Sequence, residues 1–124
     1  MSPVTKIAAI LALALAAVAA PAPAENAAAS SSGQLTYYYP GLGACGQTNG
    51  ANDAIVAVSA PLFDAQRPCG RNIRVHYQGR SVMVRVVDRC AGCAYNDLDL
   101  SPSAFQQVVG DLGKGRVPAS WEWA

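Results

Sequence analysis

The stretch Val82-Met83-Val84-Arg85-Val86-Val87-Asp88-Arg89-Cys90-Ala91-Gly92-Cys93, continued by Leu98-Asp99-Leu100-Ser101-Pro102, sets how the rest of the chain is read. Valines recur at 82, 84 and 86, the alternation of a strand with one buried face; Met83, Arg85 and Val87 share the other face. Asp88 ends that strand. Ser101 is a good N-cap and Pro102 suits the first helical position, so Asp99 stands just before a helix start. A carboxylate at a strand end and a second before a helix can meet in one cleft of a small barrel.

Working outward, Ala104, Phe105, Val108 and Val109 give the helix its apolar stripe, and Gly110 or Gly113 ends it. On the N-terminal side, residues 35–39 alternate tyrosines and read as a strand broken by Pro40-Gly41-Leu42-Gly43. Residues 47–53 are polar and turn-rich. Residues 55–59 read as a buried strand that Pro61 ends, and residues 72–77 as a strand joined by a tight Gln78-Gly79 turn to residues 81–87. Residues 115–117 and 120–123 are candidate final strands. Short strands, one helix and no βαβ rhythm predict a mainly β fold, a small barrel rather than a parallel sheet.

The N-terminus reads differently. Lys6 precedes an apolar run over residues 7–20, and Ala22-Pro23-Ala24, or residues 18–20, form a small-residue cleavage site. This is the pattern of a secretory signal peptide over residues 1–24; a retained anchor is the alternative, but the run is short for a span of roughly 20 residues. Residues 25–32, rich in Ala and Ser, read as a disordered spacer, leaving residues 33–124 as one domain with a marginal core. The expected location is therefore extracellular. The hydrophobic fraction of 52% is inflated by the leader and the alanines after it. From Glu25 onward eight basic residues balance eight acidic ones, with no basic run. That composition argues against nucleic acid and against an anionic membrane surface, and favours a neutral polar ligand or a protein partner. A monomer is expected.

All four cysteines, Cys45, Cys69, Cys90 and Cys93, follow the leader, and an even count there argues for two disulfides. Cys45–Cys69 with Cys90–Cys93 is the preferred pairing; Cys45–Cys93 with Cys69–Cys90 is the competitor. Closing the loop between Cys45 and Cys69 stabilises by roughly 3 kcal/mol in the chain-entropy model. Cys90-Ala91-Gly92-Cys93 would suggest redox chemistry in a cytosolic βαβ protein, but not in this β-rich setting. With one histidine, His76, and no second C-x-x-C, the chain lacks a zinc pattern, and no metal or cofactor is expected. His76 reads as an ordinary strand residue, since no triad partner stands at motif spacing.

Asp88 and Asp99 are the candidate acids. A glycosidase needs an acid to protonate the leaving oxygen and usually a second carboxylate as base or nucleophile. Asp99 lies between Leu98 and Leu100, where burial would raise its pKa. The plainer alternatives are an aspartate accepting backbone N–H bonds before a helix, and an Asp88–Arg89 ion pair. Tyr37 and Tyr39 share one strand face with Tyr38 on the other; exposed, the pair would form a platform for sugar rings, and buried it would fill the barrel. Trp121 and Trp123 are read as core.

Thr36-Tyr37-Tyr38, Gly43-Ala44-Cys45-Gly46, residues 53–59, Cys69-Gly70-Arg71, Gly79-Arg80-Ser81-Val82, Val87-Asp88-Arg89-Cys90, Asp99-Leu100-Ser101-Pro102-Ser103-Ala104-Phe105 and Trp121-Glu122-Trp123 occur in this order over nearly all of residues 33–124. In these the chain resembles the double-psi β-barrel family that includes expansin domain 1, barwin, rare-lipoprotein-A-like domains and, most closely, single-domain fungal loosenins. The resemblance implies a six-stranded, disulfide-stapled double-psi barrel with one or two short helices. It implies that Asp99 occupies the position of the essential acid of expansins and of the general acid of related endoglucanases. Asp88 and Thr36 would line the same groove, with Tyr37 and Tyr39 as substrate contacts. In the family that groove takes cell-wall glycan such as cellulose, chitin or peptidoglycan. The endoglucanase base has no motif match here, and the histidine of the bacterial lytic transglycosylases is absent near Ala57-Val58-Ser59. The sequence stops after the barrel, where expansins continue into a carbohydrate-binding domain, so weak affinity for polymer is expected.

The expected function is a non-hydrolytic, expansin-like wall protein. A secreted inhibitor of papain-type proteases, or a defence protein or effector, binding through residues 47–53 or 60–68, is the second reading. A glycan-cleaving enzyme with Asp99 as general acid is the third.

Overall fold

The computed structural model describes residues 29–124; the expected signal peptide and the first part of the spacer lie outside the described residues. The elements in chain order are β1 (Ser31–Tyr37), β2 (Ile55–Ser59), α1 (Ala60–Gln66), β3 (Asn72–Tyr77), β4 (Arg80–Cys90), β5 (Leu98–Leu100), α2 (Pro102–Val109), a 3₁₀ turn (Leu112–Lys114) and β6 (Val117–Trp123). The strands close into a six-membered barrel in the order β1-β5-β2-β4-β3-β6, with β6 returning to β1. Two pairs, β1/β5 and β2/β4, are parallel and the rest antiparallel.

The barrel interior follows from the alternation. Val82, Val84 and Val86 of β4 and Ile73 and Val75 of β3 are buried, as are Leu35, Leu98 and Leu100. Each such side chain withdrawn from water favours the fold by about 1.5–3 kcal/mol. β2 is buried along its whole length, as its apolar run predicts. Helix α2 lays Ala104, Phe105, Val108 and Val109 into the same core, capped by the Ser101 hydroxyl at one end. At its other end an Arg80 guanidinium nitrogen donates to the Val109 carbonyl at 2.7 Å, which satisfies an end group the helix cannot. Trp121 is core, its indole N–H donating to the Asn96 carbonyl at 2.9 Å. Trp123 is partly buried, edge-on to Trp121 and under the Arg71 guanidinium at 3.9 Å.

Several local expectations are corrected. β1 begins at Ser31, inside the stretch read as spacer, although residue 38 still donates its backbone N–H to Leu100. Leu98–Leu100 is a strand, and the two expected final strands are one, so the six strands are not the six candidates. Pro118 lies in the gap between those candidates. It sits where β6 pairs with β1 alone, since β3 pairing begins at Ser120, so its missing N–H takes no bond from the β3 side. Pro61 does not merely end a strand: it sits in the first turn of α1, capped by the Ser59 hydroxyl, so residues 60–68, read as a loop, are mostly helix. The disulfides are Cys45–Cys69 and Cys90–Cys93, the preferred pairing.

Candidate functional site

The two aspartates meet, and the backbone register explains how. Thr36 of β1 lies opposite Asp99 of β5; Asp99 lies opposite Ala57 of β2; Ala57 lies opposite Asp88 of β4. Four adjacent strands thus carry one row, Thr36–Asp99–Ala57–Asp88, across the outside of the barrel. Ala57 is small and buried, so the two carboxylates stand over a low floor.

Strict alternation would not have produced this row. Counting by twos from Val82, Val84 and Val86 puts Asp88 on the buried face. A bulge intervenes: Val56 pairs with Val86 and Ala57 with Asp88, leaving Val87 as the extra residue. Val86 and Val87 are therefore both buried, and Asp88 turns outward. The Val87 carbonyl accepts the Cys45 N–H at 3.1 Å. Gly43 packs directly over that carbonyl, where a Cβ would collide with backbone.

The surroundings give the carboxylates different tasks. Asp88 Oδ1 accepts the N–H of Ala44 at 2.9 Å and that of Arg89 at 2.8 Å, and Oδ2 accepts the Tyr38 hydroxyl at 3.2 Å. Three of its roughly four acceptor positions are filled. Asp88 clasps both ends of the loop between Tyr38 and Ala44. The Asp88–Arg89 ion pair, the plainer alternative, does not form: the Arg89 guanidinium pairs with Asp64 of α1 at 2.8 and 2.9 Å. The Tyr38 phenol is raised well above its ordinary range, first by burial and then by the Asp88 charge, so it remains a donor.

Asp99 accepts one hydrogen bond, from the Thr36 hydroxyl at 2.8 Å. Burial raises its pKa, the Thr36 bond opposes this, and the Asp88 charge adds to the rise. It does not cap the helix; Ser101 does. Asp99 is thus the half-buried carboxyl of the pair, more readily protonated than an ordinary aspartate. It can donate or share a proton with a bound hydroxyl. Asp88, the second carboxylate, has three of its roughly four acceptor positions engaged and is therefore less free than Asp99 to take a proton or attack a bound group.

The tyrosines divide. Tyr37 turns to the interior side, tilted against Phe105 with ring centroids 4.9 Å apart. Tyr39 is 72% exposed and edge-on to Tyr37. Thr36, Asp88 and Asp99 are brought together, and Tyr37 is not among them. The groove residue not singled out from the sequence is Tyr38, and its signal was present: it follows Thr36 by two residues on the same strand face. Among the described residues no group of three or more His, Cys, Asp and Glu side chains is placed to hold a metal ion.

Comparison with known proteins places this geometry in a family. The family described as lytic transglycolase, a double-psi β-barrel, matches residues 30–121. A papain inhibitor of Streptomyces mobaraensis is 34% identical over 94 residues, 69% of this chain and 65% of that one. The solved Streptomyces papain inhibitor superposes with a TM-score of 0.68 at 32% identity, covering 77% of this chain and 94% of that one. The expansin of Clavibacter michiganensis, solved as a single-site variant with cellohexaose, gives a TM-score of 0.70 at 31% identity, covering 77% of this chain and 50% of that one. Two fungal allergens, from Arthroderma benhamiae and Aspergillus fumigatus, are 35% identical, and the match spans 31% and 35% of their lengths. By the match over residues 30–121 and by its closed six-stranded barrel, the chain belongs to the double-psi β-barrel family described as lytic transglycolase.

Proposed function

We propose that this chain is a secreted, expansin-like protein that binds cell-wall polysaccharide along the Thr36–Asp99–Asp88 groove and loosens it without hydrolysis. The observation that carries this reading is the asymmetry of the carboxylates. Asp99 is available to share a proton with a sugar hydroxyl, whereas Asp88 is occupied by Ala44, Arg89 and Tyr38. Hydrolysis by either usual route needs two working carboxyl groups. The related expansin bound to cellohexaose supports a glycan as ligand. Tyr39, exposed at the end of the loop that Asp88 clasps, would offer a ring to a sugar face.

The test is retention of the mature protein on insoluble cellulose, chitin and peptidoglycan, with soluble reducing sugar assayed in the same tubes. Wild type should be retained without sugar release. Asp99→Asn should lose retention, and Asp88→Asn, which keeps an oxygen for the two backbone donors, should keep most of it. Sugar release abolished by Asp99→Asn would overturn the non-hydrolytic reading in favour of a glycan-cleaving enzyme.

A second reading, inhibition of a papain-type protease, is supported by the inhibitor that this barrel nearly covers. Of the two candidate segments, residues 47–53 form a loop braced from within: Asp53 accepts from the Gly50 N–H at 2.9 Å and the Asn49 amide at 3.2 Å. A rigid loop loses little entropy when it docks. Inhibition of papain at micromolar protein, unchanged by Asp99→Asn, together with no retention on any polymer, would favour this reading.

A further inference from the structure

The wall formed by β1, β6 and β3 carries a cleft of about 700 Å³ that plays no part in the groove. Its floor is a second row across three strands: Ser32 of β1 lies opposite Ser120 of β6, which lies opposite His76 of β3. Gln34, Gln78 and the flat surface of Pro118 and Ala119 complete it. Within the described residues the side-chain amides of Gln34 and Gln78 and the hydroxyls of Ser32 and Ser120 make no hydrogen bond, although the Gln34 backbone is fixed by Asp97 at 2.9 Å. The His76 ring is fixed from one side, its Nε2 lying 2.9 and 3.0 Å from the two Glu122 oxygens, which leaves Nδ1 for a ligand. Lysine and arginine are absent from the lining, and its one basic side chain, His76, is paired with the Glu122 carboxylate, so the cleft offers an anion no unpaired positive group. Amides, hydroxyls and an imidazole edge suit a neutral ligand that both donates and accepts many hydrogen bonds.

A second observation points the same way. Gln78 has φ +47° and Gly79 φ +81°, the paired left-handed conformation of a two-residue hairpin turn. Such a turn favours Asn or Gly at its first position, because a Cβ is strained at positive φ, glycine has none, and the short Asn amide tolerates the conformation best. This chain places glutamine there, at the rim of the cleft, where its amide is long enough to reach a ligand. Arg67 shares this conformation as the cap of α1, so what is particular to Gln78 is not the strain but the position of its amide at the cleft rim.

From this we infer that the cleft is a second glycan-binding subsite. It takes a neutral, hydroxyl-rich saccharide and joins the groove along the outward face of β1. Ser32, Gln34 and Thr36 alternate on that face, so the cleft residues lie about 7 to 13 Å from the groove along one strand. The inference rests on the polysaccharide reading given above and extends it from one row of residues to two.

Titration of the ¹⁵N-labelled mature protein with cellohexaose and with chitohexaose, followed by amide shifts, separates the two. Shifts at His76, Gln78 and Ser120 as well as at Thr36 and Asp99 are the expected result. Gln34→Ala should weaken the cleft response about fivefold. Gln78→Gly should weaken it similarly while raising the thermal midpoint, because glycine relieves the turn; a merely structural glutamine would show the second effect alone. Groove shifts with a silent cleft at millimolar ligand overturn this inference and leave the groove. Cleft shifts with a silent groove overturn the groove and leave the cleft. Silence at both sites overturns both, and so for the cleft does a response that neither variant weakens.

Discussion

Ionising Asp99 opposes folding, because its carboxyl is held half-buried and beside the Asp88 charge. A group whose pKa is raised on folding binds its proton more tightly in the native state. Its contribution is therefore fully present below the unfolded value of about 3.9 and is lost as pH rises through the higher folded value. Asp99→Asn removes that titration and keeps an oxygen for Thr36. Its thermal midpoint should match wild type near pH 3 and exceed it at pH 7, measured by circular dichroism across that range; equal midpoints at both pH values would show that the buried charge is not destabilising. At this scale much was legible. Asp88 and Asp99 stood out because the sequence reads as placing them at a strand end and a helix start, although both stand inside strands, β4 and β5; Thr36 came from the family resemblance. The division of roles between the carboxylates was not legible, because it depends on the Ala44 N–H and the Tyr38 hydroxyl, donors brought in by a loop more than forty residues away. The outward turn of Asp88 was hidden too, since a bulge at Val87 leaves no mark in a run of valines.

Elements differ in how openly the sequence announces them. α2 has a cap, a proline and a stripe of four buried residues. α1 has the same cap and proline, Ser59 and Pro61, but only Leu62 buried over one short helix, so its periodicity does not show. β5, at three residues, is too short to alternate visibly; its place is set by its neighbours β1 and β2. The two disulfides also act at this scale. Cys45–Cys69 spans a sequence separation of 24 and Cys90–Cys93 one of 3. The chain-entropy model gives about 3 kcal/mol for the long loop and about 2 kcal/mol for the short one. Replacing both members of a pair by alanine should therefore lower the urea midpoint more for Cys45/Cys69 than for Cys90/Cys93. The reverse order would mean that the short bridge holds the turn before β5 in place rather than merely closing it.

For the molecule as a whole, a domain of this size has one core and little reserve. Phe105 is fully buried where α2 meets the barrel and also backs Tyr37. Phe105→Ala should destabilise by about 3–5 kcal/mol, much of the stability of so small a protein, and chemical denaturation would read it directly. A loss under about 1 kcal/mol would mean that the helix is not anchored through this ring. The barrel class followed from short strands without a βαβ rhythm, but the strand order did not: β1 pairs with β5 and β6, far along the chain, and periodicity carries no information about such partners. That circular order has a consequence for behaviour at high local concentration. Among the described residues every strand has two neighbours in the ring, so the barrel offers another copy no full-length edge, only short one-sided ends such as the β3 side of Val117–Ala119. Molecules held at high density would therefore meet mainly through side chains, and dense packing should leave them as separate, exchangeable units rather than seed a fibril.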